Sequence, residues 1–594
     1  MLRGPDARLR FVNVLMIAVL LPILGQLVRL QVLERSRRLP EVEELLQRPY
    51  TLPAPPPGIV MDAHGELLVG NVPIYKVGAE ISRGGGISVV GNVTRTRQVA
   101  EELAPLLNRD SEELFQALSV PPDAGGRVWR PLAAAVPADV GEQLMQLRSE
   151  RWGWLTLEME WQRYYAEGDL ASHTLGFVTE KDKDGQQGGF GVQGYYVRLL
   201  SPLPVVGRGE VDAYQVPLAE ALALGELRAY PGTDLVLTLD RTIQAFVEGE
   251  LDWAMQEYRA QGGTILVLNP RTGAILAAAS RPAYVPYEFG LYPESEYPLF
   301  QDPVVSSSYE PGSVFKVLTV AAAVDAGGVG PNWSYHDSGY LEYGGVPIRN
   351  SDHRAHGQQN LQGLLDSSLN VGAATLTTRV LGAESFYRYM RAFGFGQKTG
   401  VDLVGESTGI LHFPESEFWS DSSLATNSFG QGIAVTPVQL MTAVSALANR
   451  GTMMVPYVVA ERRYPDGRLA VTTPRPLGTP ITPETADYLA ELMEKSVAHR
   501  LTRAQVPGYR IAGKTGTSQI PIPGGYHPVD VITSFIGFGP MPDPEVLILV
   551  KIDRPGIERH LRWGTQTAAP TFSRVAERLF VLMGIPPSEV WAGP

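Results

Sequence analysis

Residues 11–28, FVNVLMIAVLLPILGQLV, form a run of 18 residues without a charge, and this run constrains the chain more than any other feature. A helix needs about 20 largely apolar residues to cross a bilayer, so the run lies at the lower edge of that length. Arginines precede it, as they precede the apolar centre of a signal peptide. The segment that follows, GQLVRLQVLERSRRL, is bulky and charged and holds no small-x-small cleavage site. An uncleaved anchor is therefore expected rather than a removed leader. Arg3, Arg8 and Arg10 on one side face Arg29, Arg35, Arg37 and Arg38 on the other, so flanking charge does not choose an orientation. Ten residues precede the run and more than 550 follow it, which leaves the large side to do the work.

That large side reads as globular, since 44% of the chain is hydrophobic and 19% charged. A length of 594 residues suggests roughly two to four domains. A net charge of −13 argues against nucleic acid as a partner. There is no cysteine, which excludes disulfides, a cysteine nucleophile and thiolate metal sites.

After the anchor, RSRRLPEVEELLQRPYTL reads as a short helix ended by Pro49, and PAPPPG (53–58) as a stiff connector. Residues 59 to about 230 mix short strands, glycine turns and two helical stretches. A second unit begins at GTDLVLTLD (232–240), followed by a helical stretch and the hairpin GTILVLNPRTGAILAAAS (263–280). The expected domains are thus 1–33 (tail and anchor), 34–231 and 232–594. Helical runs are expected near 313–326, 360–380, 435–449, 482–499 and 570–584, with strands at 509–519, 532–540 and 545–553. Strands at both ends with helices between them predict an α+β layered domain.

Within SSYEPGSVFKVLTVAAAV (307–324), Ser313 stands three residues before Lys316, where Pro311-Gly312 leads into a helix. That spacing puts the two side chains on one helical face. A helix N-terminus also favours the negative charge that a serine nucleophile develops. Lys316 can act as its base only if burial or a second cation keeps it neutral. The plainer alternative is an ordinary helix start with a solvated lysine. With 32 serines and eight lysines in the chain, Ser-x-x-Lys alone carries little weight.

Two further motifs follow in order. Ser368-Leu369-Asn370 is the one Ser-x-Asn in the chain, and Lys514-Thr515-Gly516-Thr517 lies in the strand-like run IAGKTGTSQ. The order Ser-x-x-Lys, Ser-x-Asn, Lys-Thr-Gly is a serine acyl-transfer signature. A hydroxyl and an amide on one loop can relay a proton and hold a substrate amide. The strand offers a second cation, hydroxyls for a carboxylate and a backbone N–H for an oxyanion.

Other matches are weaker. Lys398-Thr399-Gly400 repeats the tripeptide but follows a glycine-rich turn and reads as a loop. Gly405-Glu406-Ser407-Thr408-Gly409 fits a nucleophile elbow, yet ILHFPE follows where a helix is required. Gly189 to Gly194 fits a dinucleotide fingerprint but follows the polar KDKDGQQ, with no preceding hydrophobic strand. His353 and His356 have the spacing of metal ligands but no supporting helical motif, so no metal or cofactor is expected. Glu310 is expected to stabilise the local fold.

On these residues the chain resembles a class B penicillin-binding protein. YEPGSVFK, SSLNVGAA, FGQGIAVTPVQLMTAVSALANRG, GKTGTSQ, LTLDRTIQ, LNPRTGAILAAAS and VKIDRP are all similar to the family's blocks. The resemblance implies a single-pass protein of the bacterial plasma membrane with an extracytoplasmic catalytic domain. It implies an elongated mixed α/β pedestal over 34–231. Over 232–594 it implies a penicillin-binding, serine β-lactamase-like transpeptidase domain, with an antiparallel sheet flanked by helices and an all-helical subdomain. The implied activity is cross-linking of peptidoglycan stem peptides, with acylation by penicillin and other β-lactams. Implied partners are a membrane-embedded SEDS-type glycosyltransferase, FtsW-like or RodA-like, and other divisome or elongasome membrane proteins.

By the same resemblance, Ser313 is the acylated nucleophile, Lys316 its base and Ser368 a proton shuttle. Asn370 binds the donor peptide, Lys514 polarises the network, and Thr515 and Thr517 hold the terminal carboxylate on either side of Gly516. The backbone N–H groups of Ser313 and Thr517 form the oxyanion hole. YEPGSVFK and GVDLVGESTGIL are most similar to the septal, FtsI-type branch, with the elongation branch as the alternative. Pro57 and Ala63 stand where the family usually has arginines, and Gln193 where a glutamate is common. A D,D-carboxypeptidase or β-lactamase-like hydrolase would need a deacylating base, for which no motif is present. A non-enzymatic penicillin sensor would need a larger cytoplasmic part than the short tail provides.

Overall fold

The computed structural model describes residues 5–33, 48–51, 54–82, 93–120, 127–181, 187–203, 206–209 and 230–588. Helix α1 spans Pro5–Val28 and continues as a π turn through Arg29–Leu33. Within it Arg10–Val32, with a mean hydropathy of 2.3, is long and apolar enough to cross a membrane, and none of it is buried. Most of the helix expected after the anchor falls on residues 34–47, which lie outside the described residues. Its end differs from expectation: Arg48–Thr51 is a strand, paired antiparallel with Val206–Gly209.

The chain divides into two compact units, one of residues 1–56, 75–160 and 202–231 and the other of 57–74, 161–201 and 232–594. In the first, helices Val93–Leu107, Ser111–Leu118 and Ala138–Glu150 enclose a core that includes Val77, Ile81, Leu103, Leu114, Leu132 and Leu155. Asp110 separates the first two helices by accepting from the N–H groups of Glu112 and Glu113.

In the second unit, Gly262–Leu268 (β1) and Ile275–Arg281 (β2) form the expected hairpin. Its turn is held by Asn269 Oδ1, which accepts from the N–H groups of Arg271 and Thr272. Ala512–Ile522 (β3), Gly525–Gly539 (β4) and Val546–Asp553 (β5) complete a five-stranded sheet in the order β2-β1-β5-β4-β3. Every neighbouring pair is antiparallel.

The helices that bear on the site are, in chain order, α2 (Arg241–Glu257), α3 (Lys316–Asp325), α4 (Leu361–Asp366), α5 (Asn370–Thr375), α6 (Pro437–Ala448), α7 (Pro483–His499) and α8 (Ala568–Leu582). Their starts follow from capping residues: Asp240 caps α2, and Thr436 and Thr482 cap α6 and α7 just before a proline.

Both faces of the sheet are covered, which explains its nearly continuous apolar strands. On β1, Ile265 and Val267 join one core with Val247 and Leu251 of α2 and Phe572 and Leu579 of α8. Leu266 and Leu268 point the other way, into a core with α3 and α6. β5 splits in the same manner, with Ile548 and Val550 on one face and Leu547 and Leu549 on the other.

The glycines of the dinucleotide-like run serve backbone packing, since a Cβ on Gly191 would lie 2.6 Å from Gly176 N and 2.6 Å from Thr174 O. Gln193 is buried, and its amide donates to Gly176 O (2.8 Å) and Tyr165 OH (2.9 Å), bonds an ionised glutamate could not make.

Candidate active site

The Ser-x-x-Lys segment is not one α-helix from its first residue. Gly312–Phe315 is a 3-10 turn, and α3 begins at Lys316. In a 3-10 turn residues i and i+3 eclipse, so Ser313 and Lys316 share a side more closely than α-helical spacing gives. The turn is held from two directions. Gly312 N–H donates to Gly430 O (3.1 Å), and a Cβ on Gly430 would lie 2.3 Å from Gly312 O. On the other side Val314 packs against Gly516, where a Cβ would lie 2.8 Å from Val314 Cγ2. The glycine of Lys-Thr-Gly thus lets strand β3 close onto the nucleophile turn.

The expected helical run over 360–380 is interrupted. Between α4 and α5 the chain turns at Ser367–Leu369, and Ser368 has a φ of 52°, a left-handed conformation strained for any residue but glycine. This strain turns the Ser368 hydroxyl toward both lysines. Lys316 Nζ donates to Ser368 O (2.5 Å) and Oγ (3.2 Å), while Lys514 Nζ donates to the same Oγ (3.1 Å) and to Thr515 O (3.1 Å). A hydroxyl accepting twice keeps its own proton to donate. Asn370 opens α5, and its Nδ2 donates to Arg349 O (2.9 Å).

Lys316 and Lys514 are 0% and 1% exposed, so neither amine is solvated as a surface lysine would be. Burial, and secondarily the like charge of Lys514, holds Lys316 well below the ordinary lysine range. Burial lowers Lys514 to about 8, with the Asp366 carboxylate opposing that shift. Lys316 therefore loses its proton first, and Lys514 keeps its charge near neutral pH.

These groups meet at a cavity of about 1100 Å³, lined in part by Ser313, Ser368, Asn370, Thr515, Gly516 and Thr517. Strand β3 is the last of its sheet and, among the described residues, has a strand neighbour on one side only. Thr517 Oγ1 donates to Gly516 O (2.9 Å) and accepts from Gly564 N–H (3.0 Å), which ties the 559–564 segment to the strand.

Lys398 is exposed and outside this cavity, and the neighbouring Thr399 hydroxyl donates to Glu406 (2.6 Å) in a surface turn. Ser407 accepts from Gly409 N–H (3.2 Å) in a turn with no helix after it. His353 lines the cavity, whereas His356 pairs with Asp352 (2.8 Å). Among the described residues no three metal-ligating side chains gather.

Glu310 has a larger structural role than its sequence position reveals. It is buried, and its Oε1 accepts from Gly432 N–H (2.9 Å) and from Tyr526 OH (3.2 Å) on the β3–β4 hairpin. Burial raises its carboxyl to about 7. Tyr526 and Trp563 also belong to the site's walls and no sequence motif marks them, whereas Gln431, a third wall residue, lies in the FGQGIAV block.

Residues 263–577 match the penicillin binding protein transpeptidase domain, and residues 53–193 match the penicillin-binding protein dimerisation domain. Stage V sporulation protein D of Bacillus subtilis is 36% identical over 433 residues, 72% of this chain and 65% of that protein. Peptidoglycan D,D-transpeptidase FtsI of Escherichia coli is 28% identical over 90% of this chain and 85% of its own length. The crystal structure of a peptidoglycan synthetase from Bifidobacterium adolescentis superimposes with a TM-score of 0.69 at 25% identity, covering 92% of this chain and 99% of that one.

Proposed function

Because the chain belongs to the class B penicillin-binding proteins, we infer that it is a peptidoglycan D,D-transpeptidase working through an acyl-enzyme on Ser313. The observation that carries the reading is the meeting of Lys316 and Lys514 on the Ser368 hydroxyl.

In the first step Ser313 Oγ attacks the carbonyl of the penultimate D-alanine, and neutral Lys316 takes the serine's proton. The proton passes through Ser368 to the leaving nitrogen, so the C–N bond breaks as the serine ester is completed. The terminal D-alanine departs. In the second step an amine of a neighbouring strand attacks the ester, a new amide forms, and Ser313 regains its proton. Asn370 holds the donor amide, Lys514 keeps a positive charge beside Ser368, and the Thr515 and Thr517 hydroxyls hold the terminal carboxylate. The N–H groups of Ser313 and Thr517 receive the oxyanion. Among the described residues lining the cavity Asp366 is the single carboxylate, and it already accepts from Ser496 Oγ (2.5 Å) and Gln362 Nε2 (2.7 Å), which speaks against a hydrolase base there.

The test is covalent labelling with a fluorescent penicillin. Wild-type protein is expected to label and Ser313→Ala to remain unlabelled; unchanged labelling of Ser313→Ala removes Ser313 from the reaction.

In the same reading α1 anchors the protein in the bacterial plasma membrane, with 34–231 as pedestal and 232–594 as an extracytoplasmic transpeptidase. A SEDS-type glycosyltransferase and other divisome or elongasome proteins are its partners. The YEPGSVFK and GVDLVGESTGIL blocks and the FtsI relative support a septal role. A tagged copy concentrated along the side wall instead of at midcell would replace it with an elongation role.

A further inference from the structure

The cavity in front of Ser313 has a charge opposite to that of the protein. The chain carries a net charge of −13, yet the cavity wall includes Arg349, Arg559 and Arg562 against the one carboxylate of Asp366. Several arginines elsewhere in this unit are paired with acids, among them Arg281 with Glu248 and Asp252, Arg510 with Glu494 and Arg574 with Glu250. The three cavity arginines have no carboxylate within ion-pair distance among the described residues. Arg562 Nε donates to Ile557 O (2.7 Å), Arg559 Nη2 makes a long bond to Pro528 O (3.4 Å), and the Arg349 guanidinium lies over the Tyr340 ring (4.9 Å). Each guanidinium has five N–H donors, so most of them are uncommitted.

Their placement is fixed by the site itself. Arg559 opens a 3-10 turn (Arg559–Leu561) and Arg562 follows it, leading into Trp563 and Gly564, and Gly564 is bonded to Thr517. Arg349 comes from the wall that carries Asn370, whose amide donates to the Arg349 carbonyl.

We propose that Arg559 and Arg562, with Arg349 on the Asn370 wall, form a subsite for a second carboxylate on the acyl-donor peptide, separate from the terminal carboxylate held by Thr515 and Thr517. The inference rests on the acyl-transfer reading above. A planar guanidinium binds a carboxylate through two parallel N–H groups, and Arg562 is half-buried while Arg349 and Arg559 are exposed and free to reach a ligand. A cationic cleft on an acidic protein also focuses the field toward an anionic ligand. The subsite therefore favours donor peptides with an acidic group upstream of the reacting alanines over neutral ones.

Benzylpenicillin and carbenicillin test this, because they share one nucleus and differ by a carboxylate on the side chain. Acylation rates of the full-length protein in detergent are measured by competition with a fluorescent penicillin, for wild type and R559Q/R562Q. The double variant is expected to slow carbenicillin about tenfold more than benzylpenicillin, the scale of one lost charge-assisted contact. High salt is expected to narrow the wild-type difference in the same direction. R349Q, which leaves the 559–562 turn untouched, is expected to shift the same ratio. Equal slowing of both penicillins, or no slowing, overturns the subsite while leaving Ser313 acylation in place. Failure of benzylpenicillin to acylate wild-type protein overturns the acyl-transfer reading and the subsite with it.

Discussion

Lys316 and Lys514 reach the same oxygen, Ser368 Oγ, at 3.2 and 3.1 Å, from a helix start and an edge strand far apart in the chain. Two buried amines on one acceptor cannot both stay charged at low cost, and Lys316 yields its proton first. Acylation needs neutral Lys316 and charged Lys514, so its rate should follow a bell. The alkaline limb is expected near pH 8, where Lys514 loses its proton. Lys514→Ala should fold, lose that limb and acylate about 10²-fold more slowly or worse at neutral pH. Stopped-flow acylation across pH checks this; a Lys514→Ala variant with the wild-type rate and profile removes Lys514 from the chemistry.

Ser368 offers a second test, because its hydroxyl and its backbone make opposite demands. The left-handed φ of 52° costs a residue with a Cβ about 1–2 kcal/mol relative to glycine. Ser368→Gly should therefore be more stable than Ser368→Ala by about 1 kcal/mol, while both acylate slowly for want of the hydroxyl. Urea denaturation of the two variants gives the difference. Equal stability would show that the surroundings impose no strain there.

The order of strands and helices in the second unit was legible because its signals are local. β1 and β5 are short apolar runs, the β1–β2 turn carries Asn269, and Asp240, Thr436 and Thr482 mark helix starts. Motif order likewise singled out Ser313, Lys316, Ser368 and Lys514, which the structure gathers at one cavity or one hydroxyl. Close approach between distant backbones was not legible. The run 360–380 read as helical with Ser368 and Asn370 on a loop, but nothing in a serine announces the left-handed backbone at Ser368. Glu310 looked merely local because its partners, Gly432 and Tyr526, lie 122 and 216 residues away.

Gly516 tests the packing of strand against nucleophile turn. A Cβ there would lie 2.3 Å from Ser534 Oγ, 2.8 Å from Val314 Cγ2 and 3.0 Å from Pro311 O. The last two belong to the segment that carries Ser313, so Gly516→Ala must push that turn away from β3. A loss of about 1–3 kcal/mol is expected from overpacking, with acylation slowed because the nucleophile and Thr517 no longer share one oxyanion site. Thermal melts and acylation rates together check it. A variant of unchanged stability and rate would mean that the strand yields instead of the turn.

Glu310 supports the site through two hydrogen bonds that need an acceptor oxygen and no charge. Its carboxyl is raised from an ordinary 4.5 to about 7 by burial, against the opposing effect of Gly432 N–H and Tyr526 OH. Between those two values the folded protein binds more protons at this site than the unfolded chain does, so wild-type stability should fall as pH rises from about 4.5 to 7. Glu310→Gln keeps the acceptor, removes the titration and should flatten this part of the stability curve while acylating normally. Glu310→Ala loses both bonds, freeing the Tyr526 hairpin and the Gly432 loop, and should acylate slowly at every pH. Melting temperatures measured across this range decide it. A Glu310→Gln curve parallel to wild type would place the titrating group elsewhere, and normal acylation by Glu310→Ala would show that the two bonds do not position the site.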